Sequence, residues 1–562
     1  MNTNIPWWKN DTFYQIYPRS FQDSNNDGIG DIQGIISRLD YLQDLHVDDI
    51  WLSPIYQSPM FDMGYDISDY QAIDPIFGTM DDFDELLTES KKRNMNIIMD
   101  LVVNHTSDQH KWFQEAISNP NSKYRDYYIF KTTSDGKEPN NWRAIFGGST
   151  WDPVPNEPGT YYFHTFAKQQ PDLNWENPKL RKEIYQMINW WLGKGIAGFR
   201  IDAITHIKKD LDWKSLPPDA EDGLASVVKK GRNRPGVQEF LNELSNETFK
   251  KYDAVTIGEA YGLTDRDLPK FVGKDGYFSM VFDFNYMNID VLDVDEWFRG
   301  QNNWTVKELK KVIFKSQNEI KQSGGWYANV LENHDQPRVL SKLIKNKEYQ
   351  NANAAKALGI MYYFLPGVPF IYQGQELGMK NFEREFLEDF DDISSINNYN
   401  LAIENGYSNE ESLSIINNKS RDNARTPMQW NNSIYAGFSE HKPWLKMSDE
   451  IDGINVLEES SDNLSVLKMY QKLGEIRHDE IISSIITEGD LHEIYNLPDS
   501  IIGYEIKTET QSLIVLVNLS ENPVELSNEY NGCLLINSLT NKSSDHITIS
   551  NLSGYQALVI CK

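Results

Sequence analysis

Eight short β-branched or aromatic runs alternate with helical patterns over most of the 562 residues of the chain. Such runs are typical of buried parallel strands, and the stretches between them place apolar residues at the spacing of amphipathic helices. The runs lie at 12–18, 48–54, 96–103, 196–202, 254–260, 278–284, 326–335 and 368–376. Eight strands alternating with helices predict an α/β protein with a (β/α)8 TIM barrel. Strand counting alone also allows a doubly wound open sheet.

Two interruptions divide the predicted barrel. The segment 105–175 follows the third strand and is rich in Gly, Pro, Asn and aromatic residues, which predicts an inserted small domain B. It separates a first part of the barrel, 1–104, from a second part, 176–484, with a long polar excursion at 380–430 after the eighth strand. Within this excursion, 397–412 is expected to be a polar loop. Strand-like runs without helical spacing predict a C-terminal antiparallel β-sandwich domain at 485–562.

The charge and the cysteine content exclude several classes of partner. Lys and Arg number 54 against 83 Asp and Glu, a formal net charge of −29, so neither nucleic acid nor an anionic membrane is expected as a partner. Only Cys533 and Cys561 are cysteines, which argues against a disulfide framework or a cysteine-ligated zinc site. The first ten residues show no signal pattern, and no apolar run approaches the length of about 20 residues that a spanning helix needs. A cytoplasmic protein is expected, and a monomer, with oligomers left open.

Polar residues follow four of the predicted strands. The carboxyl ends of all strands of a barrel meet on one face, where active sites are built. Any one of these acids could instead cap a helix, but three acids, two histidines and one arginine together favour a catalytic site. The residues are Asn104, His105, Arg200, Asp202, Glu259, His334 and Asp335.

Two of the strand-end acids suit different steps of a reaction. Arg200 and Asp202 lie two residues apart in one strand and so point to the same face, where the guanidinium favours an ionised, nucleophilic Asp202. Glu259 has little positive charge near it in the sequence, which suits a proton donor. Two carboxylates in contrasting environments are what glycosidic bond cleavage requires.

In their order and spacing, the stretches DLVVNH, GFRID, GEA and ENHD resemble the four conserved stretches of the α-amylase superfamily, glycoside hydrolase family 13. QPDLNW (170–175), MFDMGYDISDY and the opening WWKNDTFYQIYPRSFQDSNNDGIGDIQGI are similar to its oligo-1,6-glucosidase and α-glucosidase subgroup. The resemblance covers essentially the whole chain. It implies a retaining, exo-acting α-glucosidase that releases glucose from the non-reducing end of short α-glucosides, such as maltose, malto-oligosaccharides and isomaltose, through a covalent glucosyl–aspartate intermediate.

The same resemblance implies a role for each site residue. Asp202 would be the nucleophile, Glu259 the general acid and then the base, and Asp335 a third carboxylate that binds sugar hydroxyls. Arg425 would assist Asp62, and this pair would close the far end of the pocket. The remaining substrate-binding positions that the resemblance implies are Tyr65, His105, Phe146, Phe166, Arg200 and His334.

The segment DSNNDGIGD (23–31) places oxygen-bearing residues at alternate positions, as a calcium loop does. A plain Asn/Asp/Gly turn is the alternative. Because related glucosidases hold a structural cation in this loop, Ca2+ or Mg2+ is expected here, and no organic cofactor. The ligands would be Asp23, Asn25, Asp27, the Ile29 carbonyl and Asp31.

The residue after the nucleophile bears on the substrate. In this subgroup it tends to be Val in α-1,6-acting members and smaller or polar in α-1,4-acting ones, so Ala203 favours maltose and short malto-oligosaccharides. One methyl group in a pocket changes discrimination by only about 1–3 kcal/mol, which leaves isomaltose and sucrose open.

Three alternatives to this function are considered. A trehalose-6-phosphate hydrolase would need added basic residues at the pocket rim, where no cluster is evident from the sequence. A sucrose isomerase would need an Arg-rich loop after the HD stretch, where this chain offers Arg338. A non-catalytic barrel, like the transporter-associated heavy chains that resemble this family, would lack part of the acid set and carry a membrane anchor.

Overall fold

A computed structural model describes residues 5–220, 222–293 and 296–562; residues 1–4 of the opening segment, where no signal pattern was expected, lie outside this description. Eight short strands form a closed barrel in the order β1–β8–β7–β6–β5–β4–β3–β2. Their bounds are β1 Phe13–Ile16, β2 Asp49–Leu52, β3 Asn96–Leu101, β4 Gly198–Ile201, β5 Val255–Gly258, β6 Met280–Phe282, β7 Tyr327–Val330 and β8 Val368–Tyr372. Each lies within one of the eight predicted runs. The closure confirms the barrel and excludes the doubly wound open sheet.

The chain forms two compact units, which are described separately. The first unit comprises Met1–Ile50, Thr88–Asn96 and Phe282–Lys562, and the second comprises Trp51–Leu87 and Ile97–Val281.

In the second unit, parallel pairing aligns three neighbouring barrel strands. Arg200 of β4 lies opposite Asp100 of β3 and Ile257 of β5. Gly198 opens β4 at a point of close approach, because a Cβ there would lie 1.9 Å from the Val255 carbonyl oxygen. This tight pairing fixes the register with which β4 and β5 reach their carboxyl ends.

Helices pack beside these strands as the sequence predicts. Helix α1 spans Met80–Lys92, and Thr79 and Asp82 exchange two capping hydrogen bonds at its start. Helix α2 spans Pro178–Lys194 and ends at Gly195, whose φ of 106° suits a left-handed C-cap. The unit's other helices are Lys111–Ser118, Val228–Gly231, Val237–Glu247 and Leu268–Val272, and its short strands outside the barrel are Tyr56–Gln57, Asp69–Ile73, Phe130–Thr132, Trp142–Arg143, Trp151–Pro153, Thr160–Phe163 and Ala225–Ser226.

The segment 105–175 forms its own small core. Three of its short strands make a sheet, and Trp142, Trp151 and Phe163 pack together with Val227 from outside the segment. Lys209 Nζ lies 2.6 Å from Asp172 Oδ2 and donates to Asn104 Oδ1, so a buried ion pair ties this segment to the end of β3. The boundaries of domain B stay a prediction.

The first unit corrects one expectation from the sequence. The segment 397–412, expected to be a polar loop, lies mostly in helices α3, Ile393–Glu404, and α4, Asn409–Lys419. Asp392 caps α3, and Ser408 with Glu411 forms a capping box on α4. The loop prediction was wrong because it weighed the polar composition above these start signals. The unit's other helices are Ile32–Ser37, Leu39–Asp44, Val306–Ser323, Val339–Leu343, Ala352–Tyr363, Asp422–Arg425, Val456–Ser461, Val466–Arg477 and Glu480–Glu488.

The C-terminal part is antiparallel, as predicted. Its strands are β9 Asp490–Glu493, β10 Ile501–Lys507, β11 Ser512–Asn518, β12 Val524–Asn537, β13 Lys542–Leu552 and β14 Ala557–Cys561. They hydrogen-bond into one six-stranded sheet in the order β9–β10–β11–β14–β12–β13. A sandwich needs two packed sheets, and that part of the expectation stays a prediction. In the described ranges, no helix has the length and apolar character to cross a membrane.

Candidate active site

Arg200 is the centre of a carboxylate cluster in the second unit. Its Nη1 lies 2.9 Å from Asp100 Oδ1 and 2.7 Å from Asp202 Oδ1, and its Nη2 lies 3.0 Å from Glu259 Oε1. The side chain is only 1% exposed. Burial alone would lower the pKa of Arg200, but the surrounding carboxylates outweigh it and raise the pKa well above its usual value. One permanently charged guanidinium therefore positions three acids.

The strand register explains how Asp202 and Glu259 come together. The Asp202 amide donates to the carbonyl of Leu101, and the Glu259 amide donates to the carbonyl of Ile201, which extends the parallel ladders to the strand ends. Both acids thus follow neighbouring strands at the same level. Ala203 has a φ of 42°, and its amide donates to Glu259 Oε2 at 2.8 Å.

Glu259 departs from one sequence expectation. It was expected to have little positive charge nearby, and this is wrong because Arg200 contacts its Oε1. The charge comes from the adjacent strand, which a search of neighbouring sequence positions does not reach. Arg200 and the Ala203 amide both favour the ionised carboxylate, the form that a general base needs in the second half of a retaining reaction.

Asp100 is a site residue that sequence reasoning missed. Besides pairing with Arg200, it accepts hydrogen bonds at Oδ2 from the Tyr65 hydroxyl at 3.0 Å and from Trp51 Nε1 at 3.2 Å. Burial raises the pKa of Asp100 to about 6, although the Arg200 charge and hydrogen bond oppose this shift. The sequence offered one sign of this role, since Asp100 is the one acidic residue in the otherwise largely apolar strand run 96–103.

Three of the predicted substrate residues share a second hydrogen-bonded group. Gln170 Nε2 donates to Asp62 Oδ2 at 3.0 Å and lies 3.2 Å from His105 Nε2, which is itself 3.1 Å from the Tyr65 carbonyl oxygen. Burial lowers the pKa of His105 to about 4, so the ring is neutral near pH 7. Gln170 was not singled out, although it opens the QPDLNW stretch.

The two predicted aromatic wall residues lie beside this group. The Phe166 ring centroid is 5.7 Å from that of Phe146 and 5.2 Å from that of His105. Sequence reasoning missed His206, whose ring centroid lies 5.8 Å from that of Phe166. Burial lowers the pKa of His206 to about 3. The arrangement is an aromatic surface suited to stacking on a sugar ring.

The first unit holds the remaining predicted residues in a group of their own. Asp335 Oδ1 accepts from Arg425 Nη2 at 2.9 Å and from Arg421 Nη1 at 3.2 Å, and Asp335 Oδ2 lies 3.2 Å from His334 Nε2. Gln15 Nε2 contacts His334 Nδ1 at 2.8 Å, and the Tyr17 ring stacks on His334. The structure therefore brings Asp335, His334 and Arg425 together.

Arg421 and Arg425 act as a pair within this group. They lie four residues apart around the short helix Asp422–Arg425, a spacing that places side chains on one helix face and could have identified Arg421. Arg421 also pairs with the buried Asp392 at 2.7 Å. The Arg425 guanidinium contacts Asp335 and the carbonyl of His334 and lies over the Tyr17 ring. Pairing of Arg425 with Asp62 stays a prediction.

The expected metal loop forms a turn in the first unit. Asp23 Oδ1 accepts from the amides of Asn25 and Asn26, Asp23 Oδ2 accepts from the Gly28 amide, and Asp31 Oδ2 accepts from the Ser24 amide. These oxygen donors fit a hard cation in chemical type. Within the described ranges, however, no three acidic, His or Cys side chains are grouped so that they could hold a metal ion.

Comparison with known proteins places this geometry in a family. The family model for the alpha amylase catalytic domain matches residues 15–487. The chain belongs to the α-amylase family. The sequence motifs indicated the same family, whose members are glycoside hydrolases. The chain is therefore a glycosidase.

Members of the α-amylase family similar to this chain carry related activities in their names. The probable oligo-1,6-glucosidase 3 of Bacillus subtilis is 42% identical over 98% of this chain and 99% of that protein. The oligo-1,6-glucosidase of Parageobacillus thermoglucosidasius is 43% identical over 92% of this chain and 91% of that protein. The crystal structure of trehalose-6-phosphate hydrolase from Bacillus licheniformis superposes with a TM-score of 0.90 at 39% identity, covering 99% of this chain and 100% of that chain.

Proposed function

We propose that this protein is a retaining, exo-acting α-glucosidase that releases glucose from the non-reducing end of short α-glucosides. The observation that carries the proposal is the contact of Arg200 with both Asp202 and Glu259 at the ends of two paired strands. A retaining reaction needs a nucleophile and an acid–base carboxylate about 5–5.5 Å apart, and one shared guanidinium is a means of holding two carboxylates close.

In the proposed first step, Asp202 Oδ attacks the anomeric carbon of the terminal glucosyl residue while Glu259 donates a proton to the departing glycosidic oxygen. In the second step, the ionised Glu259 takes a proton from water, and the resulting hydroxide oxygen displaces Asp202 to release glucose. Arg200 stabilises Asp202 whenever that carboxylate is free. Asp335 would hold sugar hydroxyls, the role that the family gives to this position.

Two observations bear on the linkage preference, and they point in different directions. The two oligo-1,6-glucosidases reported above are named for α-1,6-linked substrates. Ala203, by contrast, presents a smaller side chain beside Asp202 than the Val typical of α-1,6-acting members, which supports maltose and short malto-oligosaccharides. We propose activity on both linkages, with maltose preferred.

A substrate panel tests this proposal. We expect kcat/KM to be higher on maltose than on isomaltose, and both to exceed the values on sucrose and trehalose-6-phosphate. Ala203→Val should shift the maltose-to-isomaltose ratio toward isomaltose by about tenfold, the range that one or two methyl groups can produce. Ala203→Ser, which keeps a small side chain, is the matched control and should leave the ratio nearly unchanged. Highest turnover on trehalose-6-phosphate or conversion of sucrose to an isomer would instead support the alternatives.

We also propose that the loop 23–31 binds a structural Ca2+ or Mg2+. Its support is the set of oxygen donors that lie within the segment 23–31: Asp23, Asn25, Asp27, the Ile29 carbonyl and Asp31. Binding would require the carboxylates to share their oxygens between the ion and the backbone amides that they already accept from. The cation would hold the loop in place and take no part in bond cleavage.

A further inference from the structure

The only two cysteines of the chain lie opposite each other in the C-terminal sheet. Cys533 of β12 and Cys561 of β14 are directly paired across neighbouring antiparallel strands, and both thiols are free. Directly opposed residues in such a pair have Cα atoms about 4.5–5.5 Å apart. Disulfides span Cα separations of about 4.4–6.8 Å. The strand pairing therefore gives the two cysteines a Cα separation that a disulfide can span.

The side chains of both cysteines point away from the core cluster that contains Leu534 and Ile560. Their neighbours Leu534 and Ile560 belong to the buried core cluster, and residues next to each other in a strand face opposite sides. Cys533 is exposed and Cys561 is half-buried. The two thiols consequently share the opposite face of the sheet, which is buried along Val515 and Val559. Cys533 is itself exposed, so a small oxidant can reach it.

Gly532 lets the two strands approach at this point. Its φ is 156°, and a Cβ at this position would lie 2.6 Å from the Cys561 carbonyl oxygen. A side chain there would force β12 away from β14 beside the cysteine pair. Burial, with a contribution from the nearby Cys533, raises the pKa of the Cys561 thiol, as is consistent with two sulfur atoms in proximity.

We propose that Cys533 and Cys561 form a reversible intramolecular disulfide that cross-links β14 to β12. Glutathione disulfide is a suitable oxidant: the Cys533 thiolate attacks it, forms a mixed disulfide and releases one glutathione. The Cys561 thiolate then attacks the Cys533 sulfur and releases the second glutathione. Two protein thiols are oxidised, one glutathione disulfide is reduced to two glutathione thiols, and the thiol protons pass to the released glutathiones or to solvent.

The disulfide raises the stability of the sheet and does not change the proposed glucosidase activity. It closes the segment 533–561, which contains all of β13, and a cross-link of this kind stabilises a fold chiefly by restricting its unfolded chain. We expect the oxidised protein to melt at a higher temperature than the reduced protein, with the difference abolished by dithiothreitol. Turnover of an α-glucoside should be equal in the two forms.

Intact-mass analysis of the folded full-length protein after incubation with glutathione disulfide tests the proposal. The expected product has lost two hydrogen atoms, has no titratable thiol and regains both thiols on reduction. Cys533→Ser is the matched control and should show no two-hydrogen loss and no oxidant-dependent rise in melting temperature. A wild-type protein that keeps both thiols, or that stops at a stable glutathione adduct, would overturn the proposal, whatever its glucosidase activity.

Discussion

At the scale of single residues, the site depends on how one guanidinium is shared. Arg200 contacts Asp100, Asp202 and Glu259, so a change in any one acid alters the positive charge available to the other two. Asp100 is the member with no direct part in the proposed reaction. It also fixes Tyr65 through its other oxygen, which links the carboxylate cluster to a predicted substrate residue.

Replacement of Asp100 tests this linkage. We expect Asp100→Asn to lower kcat by up to about 100-fold, the loss that a displacement of about 1 Å in a catalytic group can cause, with a smaller change in KM. Because the pKa of Asp100 is raised to about 6, the wild-type carboxyl is protonated below that pH and ionised above it. The asparagine variant cannot ionise, so it should lack the part of the wild-type pH–rate change that lies near pH 6. Identical profile shapes in the two proteins would contradict a linkage through Asp100.

At the scale of secondary-structure elements, sequence reasoning succeeded where the pattern is local. Each barrel strand lies inside a run that apolar, β-branched residues mark, and the cap at Thr79 and the glycine that ends α2 follow from adjacent positions. Sequence reasoning failed where a residue's contact partner lies on a different strand. The contact of Arg200 with Glu259 depends on the register of β4 against β5, which no spacing along the chain encodes.

Helices α3 and α4 show that a polar composition does not by itself indicate a loop. Ser408 and Glu411 satisfy two backbone amides at the start of α4, and this reciprocal cap compensates for few apolar residues. We expect Ser408→Ala to destabilise the protein by about 1 kcal/mol, measured by denaturant unfolding. Ser414→Ala, within the same helix and away from its cap, is the control and should change stability little. Equal effects of both substitutions would contradict a specific role for the cap.

At the scale of the whole molecule, the family resemblance identified the enzyme class and the roles of the site residues, which residue spacing alone did not. The barrel was expected from the eight strand-like runs, and the glycosidase class and the grouping of Asp202 with Glu259 were expected from the four strand-end stretches. Four residues were missed because each contacts a predicted residue of its own unit that is distant from it in sequence: Asp100, Gln170, His206 and Arg421. Packing partners of this kind are settled by the fold and not by a motif.

The proposed cation in the loop 23–31 is tested on the whole protein. We expect removal of Ca2+ and Mg2+ by a chelator to lower the melting temperature by several degrees, while the turnover of enzyme that remains folded changes little. Asp27→Ala should melt at the chelated temperature with or without chelator, because it removes an exposed member of the proposed ligand set. A melting curve unaffected by chelation would indicate an Asn/Asp/Gly turn without metal.

The central claim is that Asp202 forms a covalent bond to glucose and that Glu259 assists both the formation and the release of this bond. The Glu259→Gln variant retains the nucleophile and lacks the base, so an activated aryl α-glucoside should glucosylate it faster than water releases the sugar. Peptide mapping by mass spectrometry of this variant, quenched during turnover, is the most direct measurement. We expect one added glucosyl group on the peptide that contains Asp202, and none when Asp202→Asn is introduced as well. Label on another residue, or turnover without any covalent species and with inverted glucose as the first product, would contradict it.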